Sequence, residues 1–173
     1  MDTRKFAMNY GAVLGLCLAL IALLLWVLGI DEQKSVIPSV LNNVVIIGFL
    51  VYAISKYRDN INNSFISYSE SLKLGTTVAF FSSVIMAFYT FLFVSYINPN
   101  ALSEIIIMTE QAILQSNPEI SEEELELGLE MVGKLTQPHW IMILGVLSGT
   151  FMGFFYSAII SIFVKNPDPN KIA

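Results

Sequence analysis

All 23 Asp, Glu, Lys and Arg residues of this chain lie outside four long apolar runs. A charged side chain at the centre of a bilayer costs about 3 kcal/mol, so a chain that keeps every charge out of stretches this long is built to fold across a membrane. A hydrocarbon core about 30 Å thick needs about 20 helical residues at about 1.5 Å each. Tyr10 to Ile30, Val36 to Ser55, Leu74 to Ile97 and Trp140 to Val164 meet that length. Lipid leaves backbone amides no outside partner, and the runs lack the strict alternation of barrel strands, so each is expected to be a helix. Pro38 falls where a helix start tolerates proline. The expected fold is all-α, one polytopic membrane domain over residues 1–173, with four transmembrane helices and an exported helical hairpin between the third and fourth.

The charges outside the runs are sorted by sign. Arg4, Lys5, Lys56, Arg58, Lys73, Lys165 and Lys171 lie on one side, and only Lys34 and Lys134 on the other. Basic loops stay in the cytoplasm, so both termini are expected there. Four acids (Asp2, Asp59, Glu70, Asp168) share the basic side and ten lie opposite, which gives +3 against −8. The far face is therefore acidic, and Trp26 and Trp140 fall near its boundary as interface anchors. Arg4 and Lys5 before an apolar run imitate a secretory signal. The run exceeds the usual signal core of about 7 to 15 residues, and Gly29-Ile30-Asp31 is no Ala-x-Ala-like cleavage site, so it is expected to remain as a span.

Chemistry is hard to place on this chain. The single cysteine, Cys17, sits inside the first run behind bulky Leu16, which fits a small packing side chain better than a lipidation site or a metal ligand. The single histidine, His139, reads as an interface anchor. Glu122, Glu123, Glu124, Glu126 and Glu130 cluster in sequence, but successive helical residues point about 100° apart and no glycine-bent loop gathers their oxygens for a cation. No nucleophile with a base, paired carboxylates or metal set occurs at membrane depth. No basic stripe offers a nucleic-acid surface. No enzyme, no cofactor and no nucleic-acid partner is expected.

The connections differ in kind. Asp31 to Ser35 is short enough to force an antiparallel pair of spans. Lys56 to Lys73 is either a plain solvated connector or, through Phe65, Ile66, Tyr68 and Leu72, an amphipathic turn on the inner membrane surface. Residues 98–139 are too polar to cross and too patterned for disorder, and predict two helices. The first starts at Asn98-Pro99 or Asn100, carries Leu102, Ile105, Ile106, Thr109 and Ile113 on one stripe, and breaks at Asn117-Pro118. The second opens on a Ser121/Glu124 capping box with an Ile120/Leu125 staple, carries Leu125, Leu129, Val132 and Leu135, and ends at Thr136-Gln137-Pro138. The stripes are expected to pack on each other, with the outer leaflet or another protein as alternative partners.

Span four places a small residue at every fourth position, Gly145, Gly149, Gly153, Ser157 and Ser161, and span one does the same with Gly11, Gly15 and Ala19. Small residues at that spacing let two helix backbones approach closely in lipid. Internal packing of spans one and four is the expected use; a dimerisation or partner-docking seam is the alternative. Asn42 and Asn43 form the strongest polar pair inside a span, expected to hydrogen-bond across helices or to line a hydrated pocket. Span three's Thr76, Thr77, Ser82, Ser83 and Thr90 can satisfy themselves on backbone carbonyls and need no pore.

Several motifs together resemble the bacterial membrane family called domain of unknown function 4199. They are Asn9-Tyr10-Gly11 opening span one, Lys56-Tyr57-Arg58-Asp59 after span two, Ile66-Ser67-Tyr68 leading to Leu74-Gly75, and Ser121 to Glu126 ahead of the glycine-rich last span. Tyr68 stands where the family often has phenylalanine. The resemblance covers about the full length and implies four inner-membrane helices with no assigned catalytic residue. It also implies a link to polyprenyl-phosphate glycosyltransferases and envelope glycan assembly. The expected function is a non-enzymatic accessory or adaptor subunit whose partners are the lipid bilayer and another membrane protein, or a second copy docked through the fourth span. The rival is a small-solute channel or transporter, oligomeric through span four, that uses Asn42 and Asn43.

Overall fold

The computed structural model describes residues 2–30 and 35–168. Six α-helices follow one another: α1 (Thr3–Val27), α2 (Ile37–Asn60), α3 (Tyr68–Leu92), α4 (Asn100–Ser116), α5 (Glu122–Leu135) and α6 (Pro138–Val164). A π-helical turn, Phe93–Ile97, extends α3. Among the described residues four helices, α1, α2, α3 with its π turn, and α6, are long and apolar enough to cross a membrane. Apart from Ser35, the expected connector Asp31–Ser35 lies outside the described residues, as do Lys34 and Lys171 of the charge count.

The helices overrun the apolar runs at the charged ends. The first starts at Thr3 and not Tyr10, because Asp2 caps it by accepting a hydrogen bond from the Arg4 amide. Hydropathy reports the thickness of the bilayer, whereas the backbone ladder continues through any residue of fair helix propensity. At its other end α1 stops at Val27, short of Ile30. Gly29 adopts φ 71°, its amide bonds to Trp26 O and the Ile30 amide bonds to Leu25 O. That is a Schellman stop, which satisfies carbonyls the ending helix would leave open.

The expected connector from Lys56 to Lys73 shrinks in the same way. α2 continues to Asn60, and the chain turns through Asn63 and Ser64, both at positive φ. Asn62 Nδ2 donates to Phe65 O across the turn. Ile66 then pairs antiparallel with Asn166 through two hydrogen bonds of 2.8 Å and is buried in the core, which removes it from the membrane-surface turn considered above. Ser67 and Glu70 cap α3 reciprocally: the Glu70 carboxylate accepts from the Ser67 amide and the Ser67 hydroxyl from the Glu70 amide.

The chain divides into two compact units, one made of residues up to Met86 and from Val146, the other of Ala87–Gly145. The first has a continuous core in which Phe6, Leu14 and Leu18 of α1 join Leu50 and Ile54 of α2, Leu74 and Val78 of α3, and Ile160 and Val164 of α6. Its glycine stripes seat on α3. Added β-carbons at Gly11 and Gly15 would lie 2.6 Å from Phe81 Cβ and Ile85 Cβ, and at Gly149 and Gly153 they would overlap Ser83 and Ala79. Gly75 of α3 meets Ser157 of α6 in the same manner. The stripes of spans one and four are thus both packed inside the unit, and α3 is the surface that each of them meets.

In the second unit α4 and α5 form a hairpin. Leu102, Ile105, Ile106, Thr109 and Ile113 on α4 and Leu125, Leu129 and Val132 on α5 are each half-buried. Gly128 faces Ile113 across the pair. Ser121 and Glu124 form the capping box in full. No residue of either helix is completely buried, and Leu135, expected on the same stripe of α5, is exposed and lies outside it.

Candidate functional site

At one end of the first unit the start of α1, the end of α2, the start of α3 and the segment after α6 come together. Thr3 Oγ1 and Tyr57 Oη share a 2.7 Å hydrogen bond. Arg58 Nη1 donates to the last α6 carbonyl, Val164 O, at 2.9 Å while its Nε and Nη2 hold Asp59. The Ile66–Asn166 bridge closes the same end, with Asn166 Nδ2 donating to Ser64 O. A cation on a terminal helix carbonyl is favourable twice, through the hydrogen bond and through the helix dipole.

A groove of about 630 Å³ opens between α1, α2 and α3 at this end. Asp2, Arg4, Glu70 and Lys73 supply charge, Thr3, Tyr57 and Thr77 supply hydroxyls, and Ala7, Leu74, Phe80 and Phe81 are apolar. Along α3 the lining passes from Glu70 and Lys73 through Thr77 to Phe80 and Phe81, over about 16 Å at about 1.5 Å per residue. The groove is thus polar toward the helix start and apolar toward the middle of the span. Its size lies within the range of small-molecule sites. Beside it, Lys56 Nζ donates to Tyr52 Oη at 2.9 Å and lies 5.3 Å from the Tyr52 ring centroid and 6.0 Å from that of Tyr10. Sequence reading had no hold on the groove, whose lining is scattered from residue 2 to residue 81. The Tyr52–Lys56 pair did carry a signal, its i,i+4 spacing on one helix.

Inside the spans the polar groups are used for packing. Asn43 Nδ2 donates to Ser39 O at 2.8 Å, and its Oδ1 accepts from Tyr156 Oη of α6. Ser161 Oγ donates to Ser71 Oγ at 2.8 Å in the core. Ser83 Oγ returns to Ala79 O. Asn42 is half-buried and its Oδ1 has no hydrogen-bond partner; the same holds for Thr76 Oγ1 and Ser157 Oγ. The structure joins Asn43 to α6 and leaves Asn42 outside that contact.

Among the predicted seam residues, Gly11, Gly15, Gly153 and Ser157 are buried, while Ala19, Gly145 and Gly149 are half-buried. Gly145, in the second unit, has the Ala87 side chain at van der Waals range. His139 and Trp140 are neighbours with ring centroids 5.8 Å apart. In the hairpin, α5 carries a second apolar stripe in addition to the one facing α4: Leu127, Met131 and Leu135 are 60, 58 and 45% exposed. Sequence reading passed over Leu127 and Met131, although their i,i+4 spacing was the available signal. Among the described residues no group of three or more His, Cys, Asp or Glu side chains is placed to share a metal ion.

A family model described as "Protein of unknown function (DUF4199)" matches residues 9–166. No curated protein and no solved structure matches the chain.

Proposed function

The chain belongs to the DUF4199 family of proteins of unknown function, and we propose that it works as a non-enzymatic accessory subunit of a membrane complex, with its α4–α5 hairpin as the partner-contacting element. The observation that carries this reading is the outer stripe of α5. The inner stripe already serves α4, yet Leu127, Met131 and Leu135 stay exposed, and an apolar helix face beyond what the fold consumes is what a protein interface uses. The acidic residues Glu122, Glu123, Glu126 and Glu130 flank that stripe and would set the orientation of a partner more than its affinity. The basic residues Arg4, Arg58, Lys73 and Lys165 support cytoplasmic termini, and the same charge rule makes the acidic segment 98–139 the exported one. The family resemblance directs the search for a partner to polyprenyl-phosphate glycosyltransferases of envelope glycan assembly.

Affinity purification in mild detergent tests the proposal. One membrane protein should co-purify in near-stoichiometric amount with the native chain and be lost from Leu127→Glu/Met131→Glu. Recovery of the native chain alone, or of the same partner with the variant, contradicts it.

A second reading, a small-solute channel, draws on Asn42, whose half-buried side chain presents an unpartnered Oδ1 inside a span. It calls for flux through liposomes containing the purified chain, abolished by Asn42→Leu. A second copy docking on the fourth span would use the exposed face of Leu147, Phe151, Phe155 and Ile159, because Gly149 and Gly153 are occupied by α3.

A further inference from the structure

We infer that the groove between the starts of α1 and α3 binds the phosphate head group of an anionic membrane lipid, held by Arg4 and Lys73, with the first part of an acyl chain lying along Phe80 and Phe81. Three observations converge on this ligand class, and none depends on the partner reading of the hairpin. The first is the polarity gradient. Over the 70–81 stretch of α3 the lining runs from charged Glu70 and Lys73 through Leu74 and Thr77 to the rings of Phe80 and Phe81, charged at one end and apolar at the other, as a phospholipid is along the bilayer normal.

The second is the use of the charges. Both carboxylates of the groove are drawn to helix starts: Asp2 Oδ1 accepts from the Arg4 amide at 3.1 Å and Glu70 Oε2 from the Ser67 amide at 2.9 Å. Among the described residues neither the Arg4 guanidinium nor the Lys73 ammonium forms an ion pair with a carboxylate, whereas Arg58 at the same end is held by Asp59. Two cations thus line the groove without a carboxylate paired to either. A guanidinium can engage phosphate with two parallel hydrogen bonds and an ammonium with one; the hydroxyls beside them are already bonded, Thr3 to Tyr57 Oη and Thr77 to Lys73 O, so the two cations carry the recognition.

The third is the surroundings. Lys5, Lys56 and Lys165 belong to the same end, so the local field favours an anion before any contact forms. Meanwhile Phe80 is exposed by 41%, an aromatic ring left open beside a groove in a helix of membrane-spanning length. An inorganic anion has no use for that ring, whereas an acyl chain covers it.

The test uses the full chain purified in a non-ionic detergent. Native mass spectrometry and melting temperature are followed during titration with phosphatidylglycerol, with phosphatidylcholine and with inorganic phosphate. Phosphatidylglycerol is expected to bind and stabilise, phosphatidylcholine to bind at least about fivefold more weakly, and inorganic phosphate at millimolar concentration to give no shift. Arg4→Gln/Lys73→Gln should weaken phosphatidylglycerol about twenty-five-fold, two basic contacts at about fivefold each, while Lys5→Gln/Lys165→Gln, the same charge change at the same end but outside the groove, stays within about twofold. Melting without lipid checks that both variants fold; if Arg4→Gln/Lys73→Gln melts early, Phe80→Ser replaces it, with the same expected loss of phosphatidylglycerol. Equal binding of both lipids, equal loss in the two charge variants, or no loss from the groove variant overturns the assignment. A shift with inorganic phosphate equal to that with phosphatidylglycerol overturns the lipid and leaves a free anion as the occupant.

Discussion

The two units answer the same question, how to hold helices together, with opposite residue types. In the first unit glycines stand at the closest helix contacts, and α3 presents Phe81 and Ile85 to the stripe of α1 and Ala79 and Ser83 to that of α6. In the second, α4 and α5 meet through isoleucine, leucine and valine, and their glycines have room to spare: nothing lies within 4 Å of a β-carbon added at Gly133. The difference follows from the solvent. Lipid is as apolar as leucine, so burying leucine there gains little and close van der Waals fit decides, whereas an amphipathic pair beside water is driven by apolar area. The same amino acid therefore has opposite value in the two places.

That contrast is open to direct attack. The largest effect is expected from Gly153→Leu, which drives a side chain into Ala79 and should cost about 3 kcal/mol, seen as a large drop in detergent melting temperature or loss of folded protein. Gly133→Ala in α5 should do the reverse and stabilise its helix by about 0.5–1 kcal/mol, because propensity is the only term that changes. Equal losses at the two glycines would break the comparison.

A smaller effect should stay inside the hairpin. Ser121→Ala removes both halves of the α5 capping box and should cost about 1 kcal/mol locally, read as faster hydrogen exchange at the amides of residues 122–125 with those of α1 unchanged. The smallest concerns pH. Lys134 lies 2.7 Å from Glu130 and holds its carboxyl below the ordinary glutamate range, so the pair's contribution is present at neutral pH and is lost as pH falls through and below that range. Slightly faster exchange near the end of α5 in acid, absent from Lys134→Gln, is the expected outcome; no difference between the two chains means that solvent has screened the pair completely.

The four spans and the Ser121/Glu124 box were legible because each rests on a local pattern: exclusion of charge from a run, and a serine three residues ahead of a glutamate. Span limits were less so. Thr3 to Asn9 and Lys56 to Asn60 are helical although polar, and hydropathy has no means of seeing that. The Ser67/Glu70 box shares the spacing of Ser121/Glu124, but it sits in a polar stretch whose composition reads as a connector. A stripe of glycines announces close packing without naming the partner, since a missing side chain carries no complementary shape, and so α3 was not identified from Gly11 or Gly153. The groove lay furthest from view. Arg4 and Lys73 gain a shared purpose only when Gly11 and Gly15 draw α1 onto α3.

The central claim, that the fourth-span glycines are seats for α3 and not a free docking seam, is tested most directly by a double-mutant cycle between Gly153 and Ala79. Gly153→Ala should lower the detergent melting temperature, Ala79→Gly should lower it slightly through helix propensity, and the two together should recover most of the loss from Gly153→Ala, a coupling of about 1–2 kcal/mol. Strictly additive losses would mean that the two residues do not meet, and would contradict the account.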